Sequence, residues 1–363
     1  MIYLDHGATS FPKPASVRRA MVEALERCAN PGRGGHPPAM AAARAVFDCR
    51  REAGLLFDCR PEQVVFTANC TQGLNIALHS LVKPGSRVVI SGFEHNAVTR
   101  TLHLLDAEIL VAGRRLFDPE DTLHSFEKAL QKGADAAVFT QVSNVFGYIL
   151  PYRELAALCR SYGVPFVMDG AQGAGCLPIS LSELGADFIA LPGHKGLLGP
   201  QGTGLLLCNG TPKPLMAGGT GSESMIQTMP EHLPDRLEPG TLNVPGIAGL
   251  AAGLRCVRKM GEGEILRREQ TAARACAELL RSCGYQVFAG SPQTGTVSFL
   301  PEEDCEDFAE RMARRGIALR AGLHCAPLAH ESAGTLKTGT VRISFGHDAC
   351  LAQMEALAQA LHK

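Results

Sequence analysis

Two short apolar runs in the chain end on residues that could do chemistry. Residues 164–168, Val-Pro-Phe-Val-Met, lead into Asp169, with Gly170 and Gln172 next. Residues 187–191, Asp-Phe-Ile-Ala-Leu, lead into Pro192, Gly193, His194 and Lys195, followed by a glycine-rich stretch. In open α/β sheets, ligands bind outside the carboxyl ends of the strands, so both groups stand where a ligand would. They are 26 residues apart, the length of one crossover unit, which lets neighbouring strand ends open on one crevice. A carboxylate and a lysine so placed suit pyridoxal phosphate. The amine forms the Schiff base, and the carboxylate keeps the pyridine nitrogen protonated so that the ring accepts electrons. Alone, each residue has an ordinary explanation, an Asp-Gly turn or a solvated loop lysine. The pair with its flanks carries the reading.

The surrounding pattern supplies elements to hold these residues. Between about residues 15 and 207, short apolar runs alternate with helical stretches. The spacing predicts a helix over 39–57, a strand over 64–67, a helix from Thr71, a strand over 87–91 and a helix from His95. Further strands are expected at 135–140, 164–168 and 187–191, with a helix over 152–162. Such alternation indicates βαβ units and a largely parallel sheet covered on both faces. After a Gly- and Pro-rich stretch at 212–246 the character changes. Long helical patterns at 244–260 and 264–282 precede strands at 286–288, 295–300 and 340–345, with helices at 303–315 and 348–361. Few strands and longer helices indicate a smaller α+β unit. The expected division is 1–245 for a large cofactor-binding domain and 246–363 for a small C-terminal one, with the first 15 or so residues packing near the small domain.

Composition excludes several classes. The 363 residues are 45% apolar and 20% charged, which is a globular balance rather than a disordered or fibrous one. Lys and Arg number 35 against 36 Asp and Glu, so no nucleic-acid partner is expected. No run approaches the ~18 apolar residues of a membrane span. The opening Met-Ile-Tyr-Leu-Asp5 lacks the basic and apolar segments of a secretory signal. Thirteen cysteines without a Cys-x-x-Cys pair fit neither a disulfide framework nor a zinc site. They read as mostly buried thiols in a reducing cytoplasm, and no metal is expected.

With its motifs in view, the chain resembles the class V aminotransferase family of pyridoxal phosphate enzymes, and within it the cysteine desulfurase and selenocysteine lyase branch. The likeness runs from Tyr3-Leu-Asp-His-Gly-Ala-Thr9 to the last helix and is most specific at Asp169-Gly-Ala-Gln172 and Gly193-His-Lys195. It implies fold type I of these enzymes: α/β, a large domain with a mostly parallel seven-stranded sheet, and a smaller α+β C-terminal domain. By the same likeness, Lys195 is the covalent lysine and proton shuttle, Asp169 the pyridinium partner, and Gln172 the donor to the ring hydroxyl. His95, in Glu94-His-Asn-Ala97, corresponds to the histidine stacked on the ring. Thr71, within Thr67-Ala-Asn-Cys-Thr-Gln-Gly-Leu-Asn75, matches the phosphate-cradling turn. The physics agrees, since a strand feeding a helix N-terminus presents free N–H groups to an anion. Asn144, in Gln141-Val-Ser-Asn-Val-Phe-Gly147, corresponds to the side chain near the cofactor hydroxyl and substrate carboxylate. Two positions depart from the family. Pro192 stands where serine is common, and Cys70 where a second hydroxyl is usual, which shifts weight to backbone N–H groups, His194 and a partner subunit.

The second half carries the rest of the implied site. Arg320-Ala-Gly-Leu-His-Cys325-Ala resembles the segment that holds a persulfide-forming cysteine on a short ordered loop. Arg320 and His324, as positive neighbours, would favour the thiolate. Arg342, in Val341-Arg-Ile-Ser-Phe345, matches the arginine that grips the substrate carboxylate bidentately, a task lysine does less well. Asn30-Pro-Gly-Arg-Gly-Gly-His36 resembles a substrate-side loop, with His36 and Arg320 as further substrate contacts. Thr241, in Glu238-Pro-Gly-Thr-Leu-Asn243, resembles the threonine that reaches the phosphate of the neighbouring subunit. The resemblance implies a cytoplasmic homodimer with shared active sites. It would convert L-cysteine to L-alanine and place the sulfur on Cys325 for transfer to an acceptor protein. The alternatives are a selenocysteine lyase acting on L-selenocysteine, another class V activity, or a non-catalytic scaffold. Intact Lys195, Asp169 and Arg342 speak against the last.

Overall fold

The computed structural model describes residues 1–32 and 34–362. A two-residue strand, β1 (Ile2–Tyr3), is followed by two helices, α1 (Ala15–Arg27) and α2 (Pro37–Phe57). Proline in the first turn of α2 sacrifices no hydrogen bond, because those N–H groups have no intrahelical partner. Strands and helices then alternate: β2 (Val64–Thr67), α3 (Cys70–Leu81), β3 (Arg87–Ser91), α4 (Asn96–Leu104), β4 (Glu108–Ala112), α5 (Pro119–Gln131), β5 (Ala136–Thr140) and α6 (Tyr152–Ser161). The series continues with β6 (Phe166–Asp169), the short helix α7 (Leu181–Leu184), β7 (Phe188–Pro192) and β8 (Gly204–Cys208).

Seven of these strands form one sheet in the order β2-β8-β7-β6-β5-β3-β4. All point the same way except β8, which pairs antiparallel with both β2 and β7. The α/β class with a mostly parallel seven-stranded sheet is therefore what the chain adopts. Its central strands are largely apolar because both faces are covered. On β5, Ala137 and Phe139 face a core shared with α2, α5 and α6, while Ala136 and Val138 face a second core with α3 and α4. The two-residue period of a strand makes that division. Phe139 also stacks on Phe166 of β6, with ring centroids 5.4 Å apart. The edge strand β4 was not expected from periodicity, since its side chains are mostly half-exposed.

Two long helices follow, α8 (Val244–Met260) and α9 (Glu262–Ser282). α8 packs on α1 and α2, and its Ile247, Leu250 and Leu254 join the large core. The expected division at residue 245 thus falls at the start of a helix that packs with the large sheet. The remaining elements are β9 (Gln286–Phe288), β10 (Thr296–Leu300), α10 (Cys305–Arg314), β11 (Ile317–Ala318), β12 (Arg320–Gly322), α11 (Pro327–Ala333), β13 (Thr340–Ser344) and α12 (Leu351–His362). Antiparallel strands in the order β12-β13-β10-β9 form a second sheet. Leu280 of α9 and Phe308 of α10 pack on its Phe299 and Val341. The N-terminus belongs to this region: β1 pairs with β11, and Leu4 is buried in the same core.

One close approach ties this fold to the chemistry. Gly175, in the turn after β6, has φ +92°, and a Cβ there would stand 2.3 Å from the carbonyl oxygen of Gly196, beside Lys195. An alanine would be strained by backbone and by contact together. Gly175→Ala is expected to cost roughly 2–4 kcal/mol in urea unfolding. A loss below about 0.5 kcal/mol would show that the two turns do not press together.

Candidate active site

β6 and β7 are parallel neighbours, with Asp169 opposite Ala190. Asp169 ends one strand, and Lys195 follows the end of the next by three residues. The two strand ends do open on one crevice. Cys70, Thr71, His95, Asn144, Gln172 and His194 line it with them.

The polar partners inside the crevice are specific. Asp169 is 2% exposed, and its Oδ1 accepts from the Ala171 N–H at 2.9 Å and the Cys70 thiol at 3.5 Å. Burial, then the Asp169 charge, push the Cys70 thiol well up, so it serves as a neutral donor. Lys195 is held below the usual amine range by burial, which outweighs the attraction of Cys70 and Asp169. Burial thus favours the uncharged, nucleophilic form of the amine. His95 caps α4 by accepting from the Ala97 N–H at 3.0 Å, and burial lowers its pKa. That bond assigns the proton of the neutral ring to Nε2. Glu94, just before it, is pushed up to about 8 by burial. It accepts from Ser91 Oγ and from the Thr140 N–H, joining the ends of β3 and β5.

At the far end of the crevice, Asn69 caps α3 by accepting from the Gln72 N–H at 2.9 Å. The first N–H groups of that helix, on Cys70 and Thr71, have no acceptor among the described residues, which suits an anion. Gln172 donates to the Gly7 carbonyl at 3.1 Å. The His194 ring faces Thr9 Oγ1 at 3.1 Å, and burial, then Lys195 and Lys13, push it down to about 4. Lys13 donates to the His194 carbonyl at 2.6 Å, and burial brings it down to about 8.

Cys325 sits on the connection from β12 to α11. Of the thirteen free cysteines, only it and Cys350 are exposed. His324 and Cys325 hold left-handed φ angles of 49° and 56°, at a cost of about 1–2 kcal/mol per residue. The Asn144 amide donates to the His324 carbonyl at 2.7 Å, and the Asn96 N–H to the Cys325 carbonyl at 2.8 Å. The cysteine is thereby fixed to the N-terminus of the helix that His95 caps. His324 corrects an expectation. It is 3% exposed, its Nε2 lies 3.1 Å from the Thr340 carbonyl, and burial with three cationic or imidazole neighbours pushes it down to about 2. The ring is neutral, leaving Arg320 as the positive neighbour that sequence spacing suggested. Arg320 lies opposite Arg342 in the β12–β13 register.

Arg342 is 1% exposed. One terminal nitrogen reaches Asp5 Oδ1 at 2.6 Å, the other donates to the Asn144 carbonyl at 2.9 Å, and Nε has no partner. Its expected grip on a substrate carboxylate therefore competes with an internal one. Two other expected residues lie away from the crevice. Thr241 is exposed beside Ala68 and Gln72 in a separate cavity, its segment anchored where Glu238 accepts from Arg50 at 3.0 Å and from the Phe66 N–H at 2.6 Å. His36 is exposed and caps α2 through the Ala39 N–H at 3.4 Å. Arg33, in the same loop, lies outside the described residues. Sequence reading assigned no role to Asp5, Lys13 or Glu94. Asp5 stood within the N-terminal likeness and Glu94 beside His95, whereas Lys13, between two prolines, gave no signal.

The class V aminotransferase profile matches residues 2–357. A probable cysteine desulfurase of Methanothermobacter thermautotrophicus is 30% identical over 386 residues, spanning 100% of this chain and 94% of that protein. A cysteine desulfurase of Klebsiella pneumoniae is 33% identical over 344 residues, spanning 90% of this chain and 84% of that protein. The apo structure of a cysteine desulfurase from Thermococcus onnurineus superposes with a TM-score of 0.91 at 30% identity, covering 99% of this chain and 93% of that one.

The neutral, buried His324 has a measurable consequence. Its folded pKa lies below the unfolded one, so the unfolded chain takes up a proton that the folded chain refuses. Stability from this residue is complete above about pH 6.5 and falls as the pH drops, by about 1.4 kcal/mol per pH unit. His324→Gln should flatten the slope of urea stability against pH by about one proton between about pH 6 and 4. An unchanged slope would place His324 in a solvated or already charged state.

Proposed function

The chain belongs to the class V aminotransferase family, and on that premise we propose that it is a pyridoxal phosphate-dependent cysteine desulfurase acting as a homodimer. One observation carries this reading. Asp169 and Lys195 share a crevice, and the Cys325 backbone is tied to the helix that His95 caps. The residues fit the cofactor: a carboxylate at the strand end, an amine with a lowered pKa, an imidazole in the same crevice and free N–H groups at the far end. When bound, the cofactor supplies an electron sink for bond breaking at the amino acid's Cα.

The chain's own residues divide the work. Lys195 would hold the cofactor, and its amine would carry the α-proton from and back to the substrate. Asp169 keeps the ring nitrogen protonated, with Cys70 and the Ala171 N–H fixing that carboxylate. His95 would pack against the ring, and the N–H groups of Cys70 and Thr71 would receive the phosphate. The two guanidinium groups, Arg320 and Arg342, draw the substrate carboxylate, with Asn144 beside it. Cys325 attacks the substrate sulfur as a thiolate. L-cysteine and the Cys325 thiol become L-alanine and a Cys325 persulfide, with atoms balanced and no external reductant in that step. An acceptor protein then takes the sulfur. Thr241, exposed at the edge of each chain, completes the phosphate site of a second copy, which offsets the hydroxyls missing at Pro192 and Cys70. The many free thiols suit a reducing cytoplasm, and no described helix is long and apolar enough to cross a membrane.

Three measurements test this. Borohydride treatment should fix the cofactor on Lys195, and label on another lysine would refute the assignment. Thr241→Ala should weaken cofactor retention about 10- to 100-fold, the worth of a hydrogen bond to a charged group. Unchanged retention would remove Thr241 from the phosphate site. Cys325→Ala should abolish alanine formation from L-cysteine yet leave turnover of L-selenocysteine, because a selenol leaves more readily without a nucleophile. Desulfuration by that variant at the wild-type rate would overturn the mechanism. A wild type that consumes only L-selenocysteine would make the protein a selenocysteine lyase.

A further inference from the structure

His6 is 6% exposed, and neither of its ring nitrogens has a hydrogen-bond partner. Buried polar groups in native proteins are rarely left so. The Nδ1 edge is pressed against Gly346, where a Cβ would stand 2.3 Å from it. Nε2 lies 3.4 Å from Asp348 Oδ1, and His347 Nδ1 lies 4.0 Å from the same oxygen. All three atoms are within 4.8 Å of one another. The arrangement is poor as a hydrogen-bond network but good as a ligand set. Tetrahedral ligands at metal distances of ~2.0–2.1 Å stand about 3.3 Å apart. The closest pair already has that spacing. The other atoms need only draw in by about 1 Å, which a side-chain rotation at the partly exposed His347 and Asp348 supplies.

We propose that His6, His347 and Asp348 form a binding site for a divalent cation of the zinc class, held by two imidazoles and one carboxylate with a fourth position open to water. Imidazole with carboxylate suits such borderline ions. Glu269 lines the same cavity as His6 and His347, and burial pushes its carboxyl up to about 8, so it stands as a neutral neighbour of the site rather than as a ligand. The nearby cations are occupied elsewhere: Lys13 bonds to the His194 carbonyl and to Ser10 Oγ at 2.7 Å, and Arg268 to Glu264 at 2.6 Å. The position gives the ion a task. His6 follows Asp5, which holds Arg342, while His347 and Asp348 follow β13, which carries Arg342. A bound ion would clip together the two segments flanking that pair and set how firmly Asp5 occupies the guanidinium. Sequence spacing could not reveal this site, because 341 residues separate its two histidines.

The test uses the full-length holoenzyme, washed with chelator and alkylated at its exposed cysteines so that thiols do not take up metal. Titration with Zn2+ in a calorimeter should show one ion per chain, with a higher melting midpoint. Asp348→Asn and His347→Gln, both at positions where the fold is not at stake, should each weaken uptake by more than about tenfold and remove the rise in midpoint. Co2+ should give visible d–d absorption without the near-ultraviolet band of thiolate ligation. The proposal is overturned by absent stoichiometric uptake, by uptake unchanged in both variants, or by a thiolate band. None of these outcomes depends on desulfurase activity.

Discussion

An arginine side chain that is 1% exposed must have its charge met by the chain itself, and Arg342 draws three distant segments together to do so. Asp5 comes from the N-terminus, Asn144 from the loop after β5, and the guanidinium from β13. Leaving such a charge unpaired would cost several kcal/mol, so the segments cannot part cheaply. The backbone agrees with this demand. β1 pairs with β11, Asp5 bridges to Ser344, and the Gly7 N–H donates to Ser344 Oγ at 2.8 Å. Gly7 has no side chain to spare, since a Cβ there would stand 3.1 Å from the guanidinium carbon. The seating of the small sheet over the crevice is thus set by electrostatics as well as by apolar packing. The same guanidinium reaches the chemistry, because its field helps to lower the pKa of both Lys195 and His324.

The crevice sorts its groups into charged and neutral by burial. Desolvation keeps the His95, His194 and His324 rings from protonating and the Cys70 thiol from ionising. Asp169 at the end of β6 and the guanidinium groups of Arg320 and Arg342 then supply the opposite signs of the site. A zwitterionic amino acid meets an uncluttered field in such a site, with its carboxylate and its amine drawn to opposite ends. Neutral imidazole also stacks on a cationic aromatic ring without repelling it, which suits the place that His95 occupies.

How much of this could be read beforehand depended on the distance over which each fact is decided. Asp169 and Lys195 were legible because each follows an apolar run, and parallel strands bring such ends together regardless of the rest of the chain. The α/β alternation was legible for the same local reason. The neutrality of His324 was not, because proximity to Cys325 in sequence says nothing about burial, and burial decides the charge. The Arg342–Asp5 pair spans 337 residues, beyond any motif. Helix α8 shows a middle case. Its apolar periodicity was evident, but the face against α1 and α2 is chosen by tertiary packing. His36 and Thr241 carried family likeness into positions that one chain alone leaves outside its crevice.

The connection between β12 and α11 is four residues long, with its carbonyls held by Asn144 and Asn96. A sulfur atom carried on Cys325 can therefore travel no farther than one side chain can swing. Enzymes that ship cargo on a long arm can meet their recipients at a distance. On the proposed mechanism, delivery would happen at a fixed address, and a recipient nucleophile would have to bring itself to about 3–3.5 Å from that point. Choice among recipients would then fall to the surface around the loop, where Leu323, two residues before Cys325, is 39% exposed. An exposed thiol on so short a loop would be open to a small free thiol, whereas a folded recipient would have to dock against the surface that surrounds it.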